Sequence, residues 1–254
     1  MSGTIAFEQR LNVVHMEATA TPEKFLQFEE QLRPFIDRRD DIYSKIPGGE
    51  TWPSFLPSRE KIYEYFLTVE ALQLTADSVY LDVASCLSVF PSYMAEVIGC
   101  TVLRQDLFYK PGISFVRFPS IKTRSERPMI SCFGGDASKM PLANESVDAI
   151  ALHCSFEHFE HDSDTNFVRE ALRVLKPGGR LLIIPFYCGN THTELFQPEQ
   201  APGCQYHRYY NPASFTERIL DKNPGCGVEI RYYRNSAEID KDFYCVYSAA
   251  IVKR

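Results

Sequence analysis

The 254 residues, 44% hydrophobic and 24% charged, can bury a substantial core and suit one domain of about 180 residues plus an elaboration better than two full domains. A formal charge of −6 with a pI near 5.6 argues against a surface built to grip nucleic-acid phosphates, which needs clustered Lys and Arg to displace counterions. Met1 to Arg10 lacks the basic-then-apolar pattern of an export signal, and no window approaches the roughly 20 apolar residues of a bilayer span, so the expected location is the cytoplasm.

Thr21 is expected to cap a helix opened by Pro22 and Glu23, in which Phe25, Phe28, Leu32, Phe35 and Ile36 recur at helical spacing. Pro47 to Pro57 reads as a loop. Ser58 then caps a second amphipathic helix carrying Ile62, Tyr63, Phe66, Leu67 and Leu72. Residues 1–74 are thus expected to form a helical cap.

From residue 79 the pattern alternates. Strands are expected at Val79–Val83, Thr101–Asp106, Met129–Phe133, Val147–His153, Arg180–Phe186, Val228–Tyr233 and Phe243–Val252, with helices over Pro91–Ile98, Asp164–Leu175 and Ala213–Asp221. Such interleaving implies a doubly wound α/β fold with a mainly parallel seven-stranded sheet. The polar stretch from Arg234 to Asp242 is too short for a crossover helix, so the last two strands are expected to close the sheet as an antiparallel hairpin. A long connection from Leu107 to Met129 has little pattern, and its basic run, Lys122, Arg124 and Arg127, is broken by Glu126 and reads as solvated loop.

Eight cysteines lie far apart with no Cys-x-x-Cys pair and read as free thiols serving as small core hydrophobes. No metal site is expected. His158 and His161 are three apart, whereas the usual two-His zinc signature spaces its ligands by four with a Glu after the first.

In a doubly wound sheet, ligands bind beyond the carboxyl ends of the strands. The first strand of this unit runs into Asp82-Val83-Ala84-Ser85-Cys86-Leu87-Ser88, and the second ends at Asp106, 24 residues beyond Asp82. That spacing suits a carboxylate placed to accept hydrogen bonds from two ribose hydroxyls. The turn from Ala84 to Val89 holds no glycine, which disfavours a dinucleotide pyrophosphate at this place.

Further along stand Gly134-Gly135-Asp136-Ala137, then Ser155-Phe156-Glu157-His158-Phe159, then Arg173-Val174-Leu175-Lys176-Pro177-Gly178-Gly179. In this order and spacing, residues 75 to 252 resemble the class I S-adenosylmethionine-dependent methyltransferases, with Ala84, Cys86 and Ser88 where that family usually has glycines. The resemblance implies a Rossmann-like methyltransferase domain over 75–254, S-adenosylmethionine as cofactor, and a small-molecule acceptor reacting through oxygen or nitrogen. It implies cofactor contacts from Asp82, Ala84, Ser85, Ser88, Asp106, Asp136, Ala137, His153 and Ser155: Asp82 near the methionine amino group, Asp106 on the ribose, and Asp136 on the adenine amino group with Ala137 against the ring.

An acceptor hydroxyl or amine has to lose a proton, and a histidine suits that task near neutral pH. His153, His207 and Tyr187 are the candidate catalytic residues, with His192 a further one; all but His153 lie in an aromatic insertion over residues 187–211. That insertion is expected to be too irregular for a strand and to wall the acceptor pocket, with Arg208 contributing and the Phe25–Leu72 helices as lid. Cys154 reads as core or pocket lining rather than a nucleophile. The departures at Ala84, Cys86 and Ser88 keep a second expectation open, a related fold that has lost the cofactor and serves as a binding or regulatory module.

Overall fold

The computed structural model describes residues 14–17, 22–44, 58–85, 88–107, 129–200, 203–234 and 246–254. The readings of Thr21, of Pro47 to Pro57, of Cys86 and Leu87, of Cys245 and of the basic run near Lys122 fall outside them. The elements are β1 (Val14–Glu17), α1 (Pro22–Ser44), α2 (Arg59–Leu72), β2 (Val79–Val83), α3 (Phe90–Tyr93, continued by a wider turn Met94–Ile98), β3 (Thr101–Asp106) and β4 (Ile130–Gly134). They continue with β5 (Val147–His153), α4 (Ser163–Val174), β6 (Leu175–Ile184), β7 (Thr193–Phe196), β8 (Tyr206–Tyr209), α5 (Pro212–Phe215, continued through Thr216–Leu220), β9 (Cys226–Arg234) and β10 (Val246–Lys253).

The main sheet has the order β1-β9-β10-β6-β5-β2-β3-β4. It is parallel from β6 to β4, and β10 runs antiparallel to both its neighbours, as the short polar connection predicts. The seven expected strands are all present. An eighth, β1, pairs in parallel with β9, so the first 74 residues supply a sheet strand as well as helices.

Strand alternation divides the core. Tyr80, Val102, Ala149, Ala151, Leu182 and Ile184 face α1, α2 and α3, whereas Leu81, Val83, Ile150, Leu152, Leu181 and Ile183 face α4 and α5. Ser58 caps α2 by accepting from Lys61 N, as its position before the apolar repeat suggests. Phe25 of α1 meets Tyr63 and Phe66 of α2 edge-on at ring distances of 5.5 and 5.9 Å, which fixes the two helices against each other.

Strand β6 starts at Leu175 rather than Arg180, because Lys176-Pro177-Gly178-Gly179 bulges instead of turning away. Gly178 holds φ +77, and a Cβ on Gly179 would lie 2.8 Å from the Lys176 carbonyl oxygen. Lys176 Nζ reaches both Asp148 oxygens at 2.8 and 2.9 Å, and Asp148 also accepts Val79 N at 2.7 Å, which ties β6, β5 and β2 together.

Two readings need correction. The run from Tyr206 to Tyr209 is a strand, paired antiparallel with β7, because Arg208 anchors it from one side: its fully buried guanidinium lies 2.7 Å from Asp164 and donates to the Phe159 and His161 carbonyls. The described cysteines are free, as expected, but Cys132 and Cys204 are exposed, so they are not core residues.

Candidate active site

The carboxyl ends of β2, β3, β4 and β5 meet along one rim. Alternation turns Asp82 on β2 and His153 on β5 to the same sheet face, beneath α2. Asp82 is 1% exposed and accepts from Tyr80 Oη at 2.7 Å and Ser85 Oγ at 2.5 Å, with His153 Nδ1 at 3.5 Å. Burial pushes its carboxyl up, but His153, Ser85 and Tyr80 outweigh that and hold it below the usual carboxylate range. The other ring nitrogen of His153 meets Thr68 Oγ1 at 2.9 Å, and Tyr65 packs edge-on against the ring. Asp82 and His153 therefore brace the rim from beneath.

The turn after β2 is held by the neighbouring strand. Ala84 takes φ 51, the left-handed region that favours glycine. Its N–H donates to Gln105 Oε1 at 3.2 Å, Ser85 N donates to the Gln105 carbonyl at 3.0 Å, and Gln105 Nε2 donates to the Gly135 carbonyl. Ser88 N closes the turn on the Ser85 carbonyl at 2.9 Å, while the Ser88 hydroxyl pairs with Tyr65 Oη at 3.0 Å. Beyond this brace, Asp106 is half-buried at the end of β3, and Asp136 is exposed after β4 with Oδ1 accepting Ser138 N at 2.8 Å. Ala137 is buried next to it.

After β5 comes a polar cluster under α2. Cys154, at φ 50, lies 2.6 Å from Lys61 Nζ, 3.6 Å from both Glu64 oxygens and 4.0 Å from Tyr187 Oη. Lys61 and Glu64 pair at 2.6 Å. Burial and the Glu64 charge push the Cys154 thiol up to about 12, against Lys61, so at neutral pH it is a thiol and a poor nucleophile. Glu157 is 6% exposed, and burial raises its carboxyl to about 7. Glu157 and Asp106 both act on the Cys204 thiol electrostatically, which sets the insertion beside the rim.

Strand β8 presents its two sides differently. His207 stacks edge-on against His158 at 4.8 Å and Tyr209 against Tyr187 at 5.7 Å, on the side of this cluster. Arg208 and Tyr206 meet Glu194 and Asp164 on the other. Arg208 is thereby structural, and His192 goes with it, bonded to Glu194 at 3.2 Å. Among the described residues, no three His, Cys, Asp or Glu side chains are grouped to hold a metal ion. His158 bonds the Tyr206 carbonyl, and the His161 carbonyl accepts from Arg208.

Sequence reasoning missed Lys61, Glu64, Tyr65 and Thr68. Their signal was present: they form a stripe of polar-tipped side chains at i, i+3, i+4 and i+7, the spacing that puts side chains on one face.

A family model described as "Methyltransferase domain" matches residues 81–183, from β2 through β6. Among solved structures, the Burkholderia thailandensis 1,6-didemethyltoxoflavin-N1-methyltransferase, with its substrate and S-adenosylhomocysteine bound, superposes with a TM-score of 0.58 at 14% identity, covering 92% of this chain and 91% of that one. The [4+2]-cyclase SpnF gives 0.52 at 16% identity over 79% and 83%. At such identities the likeness is one of fold. The ubiquinone/menaquinone biosynthesis C-methyltransferase UbiE of Pseudomonas putida is 26% identical over 121 residues, 47% of this chain and 46% of the relative. The malonyl-[acyl-carrier protein] O-methyltransferase of Methylococcus capsulatus is 42% identical over 66 residues, 25% of this chain and 23% of the relative. The chain thus spans less than half the length of these curated relatives.

Proposed function

We propose, from the match of residues 81–183 to the methyltransferase domain model, that the chain is an S-adenosylmethionine-dependent methyltransferase acting on a small molecule through oxygen or nitrogen. The observation that carries this reading is the position of Asp106 and Asp136 at adjacent strand ends inside the matched span, with Ala137 as an apolar floor. An adenosyl group presents donors at its ribose hydroxyls and adenine amino group, and two carboxylates on one rim suit them. The backbone turn at Ala84 to Ser88 closes the rim without glycine, since a sulfonium ligand has no phosphate to cradle. Asp82 takes part through Ser85 and His153. Ser155, beside the rim, stays in the reading as a cofactor or acceptor contact.

The cofactor, when bound, supplies an electrophilic methyl group on a cationic sulfur and needs no metal. The protein's share is to hold the acceptor in line, exclude water and take the acceptor's proton. Tyr187 and His207, on the side of the polar cluster, are the residues for orientation and proton transfer, and His153, held by Asp82 and Thr68, supports the rim. The negative charge balance and the small-molecule chemistry go with a cytoplasmic enzyme that engages neither nucleic acid nor membrane. Among the described residues no helix is long and apolar enough to cross a membrane.

Titration calorimetry with S-adenosylmethionine and S-adenosylhomocysteine tests the reading. Micromolar binding of both is expected, weakened about 10-fold to 100-fold in Asp106→Ala and about 10-fold in Asp136→Ala, the worth of charge-assisted hydrogen bonds. The strained Ala84 and the sealed Asp82 favour one rival, a fold that has lost its cofactor and acts as a binding module. Absence of heat with either ligand would select it.

A further inference from the structure

Glu157 occupies the short turn Phe156–His158 that follows β5. It is 6% exposed, and its Oε2 has no hydrogen-bond partner. Its neighbour His158 cannot help. His158 Nδ1 lies 2.8 Å from the Tyr206 carbonyl, which only an N–H can approach, so in the neutral ring the nitrogen 3.6 Å from Glu157 Oε1 carries a lone pair. Burial lowers the His158 pKa and keeps that ring neutral.

Among the described residues, the remaining cation acting on Glu157 is Lys61, and it is already committed, to Glu64 at 2.6 Å and to Cys154 at 2.6 Å. Two carboxylates therefore share one ammonium. Two further buried polar atoms without partners stand close by in the fold: Ser155 Oγ, two residues before Glu157, and His207 Nε2, on the ring packed against His158. Buried polar atoms are nearly always satisfied, so three orphans on the turn after β5 and on the strand that packs against it mark a site that a ligand completes. The charge imbalance says what kind of ligand. A carboxylate that keeps its proton up to about 7 for want of a donor is relieved by a cation or an N–H group and is made worse by an anion.

We propose that Glu157 selects the acceptor, which presents a cationic or N–H-bearing nitrogen to Glu157 Oε2, with Ser155 and His207 completing the contact. The proposal rests on the methyl-transfer reading and narrows its acceptor class to nitrogen compounds.

The test uses the full chain saturated with S-adenosylhomocysteine and, separately, ligand-free, titrated with benzylamine, benzyl alcohol and benzoate as matched probes. Benzylamine is expected to bind about ten-fold more tightly than benzyl alcohol and benzoate more weakly than either, and Glu157→Gln is expected to reduce the amine preference to about three-fold or less with S-adenosylhomocysteine affinity unchanged. Carboxyl-13C NMR of Glu157 in the wild-type chain gives a readout independent of the variant's folding: its midpoint should fall when benzylamine is added. A preference for benzoate or the alcohol, an amine preference that survives in Glu157→Gln, an unmoved midpoint, or no binding of any probe would each overturn it. Loss of S-adenosylhomocysteine binding alone counts against the enzyme reading, because the amine preference is also read on the ligand-free chain.

Discussion

Ala84 carries a cost that a single atom explains. At φ 51 its Cβ crowds the following carbonyl oxygen, a strain of roughly 1 kcal/mol that glycine does not bear. Gln105 and the Ser85–Ser88 closure hold the turn regardless. Ala84→Gly is therefore expected to stabilise the chain by up to about 1 kcal/mol, raising the calorimetric Tm by about 2 °C. A fall in Tm would mean that the turn's strain is relieved elsewhere. The absence of glycine at this turn was legible in the sequence, and so were the rim carboxylates. The engagement of Asp82 with His153 was not, because it depends on Tyr65 and Thr68 pressing from a helix far away in the chain. The same distance hid Lys61 and Glu64: α2 was read for its apolar face, and its polar stripe went unused.

At the scale of elements, β8 hangs on Asp164. Arg208 approaches that carboxylate at 2.7 Å, Arg218 at 2.9 Å and Tyr210 Oη at 2.5 Å, all from segments C-terminal to α4. Removing the carboxylate leaves the buried Arg208 with only the exposed Glu194, at 2.9 Å, as counter-charge, which costs about 3 kcal/mol. Asp164→Ala should lower the urea midpoint accordingly, and Asp164→Asn, which keeps one acceptor oxygen, should lose less; equal stability of all three proteins would refute the anchor. The strand character of Tyr206–Tyr209 was illegible because its partner, Thr193–Phe196, is mostly exposed and shows no apolar alternation. The bulge at Gly178-Gly179 was half legible: the glycines announced a backbone exception, yet a turn and a bulge use the same residues. By contrast α4, with its strong apolar periodicity, lies within a residue of its expected bounds.

For the whole molecule, the described helices α1 and α2 pack into the core. Phe25, Phe66 and Leu67 share one apolar cluster with Tyr80, Val102 and Leu182 of the sheet, and β1 extends that sheet at its β9 edge. The helices were readable as a cap, but a cap and a core layer have the same apolar spacing, and only packing distinguishes them. Deleting residues 1–74 should thus yield an aggregating or loosely packed product lacking a cooperative melting transition, where a detachable lid would leave a folded remainder. Calorimetry and a two-dimensional NMR spectrum of the shortened chain distinguish the outcomes.

The Gln105 side chain, 2% exposed, touches the turn after β2 with one end of its amide and the turn after β4 with the other, while its own carbonyl takes Ser85 N. Two loops on opposite sides of β3 are in this way riveted to a common plate. Pressure on one has to be felt by the other, so a ligand seated against the turn after β4 would also act on the posture of the Ala84 turn.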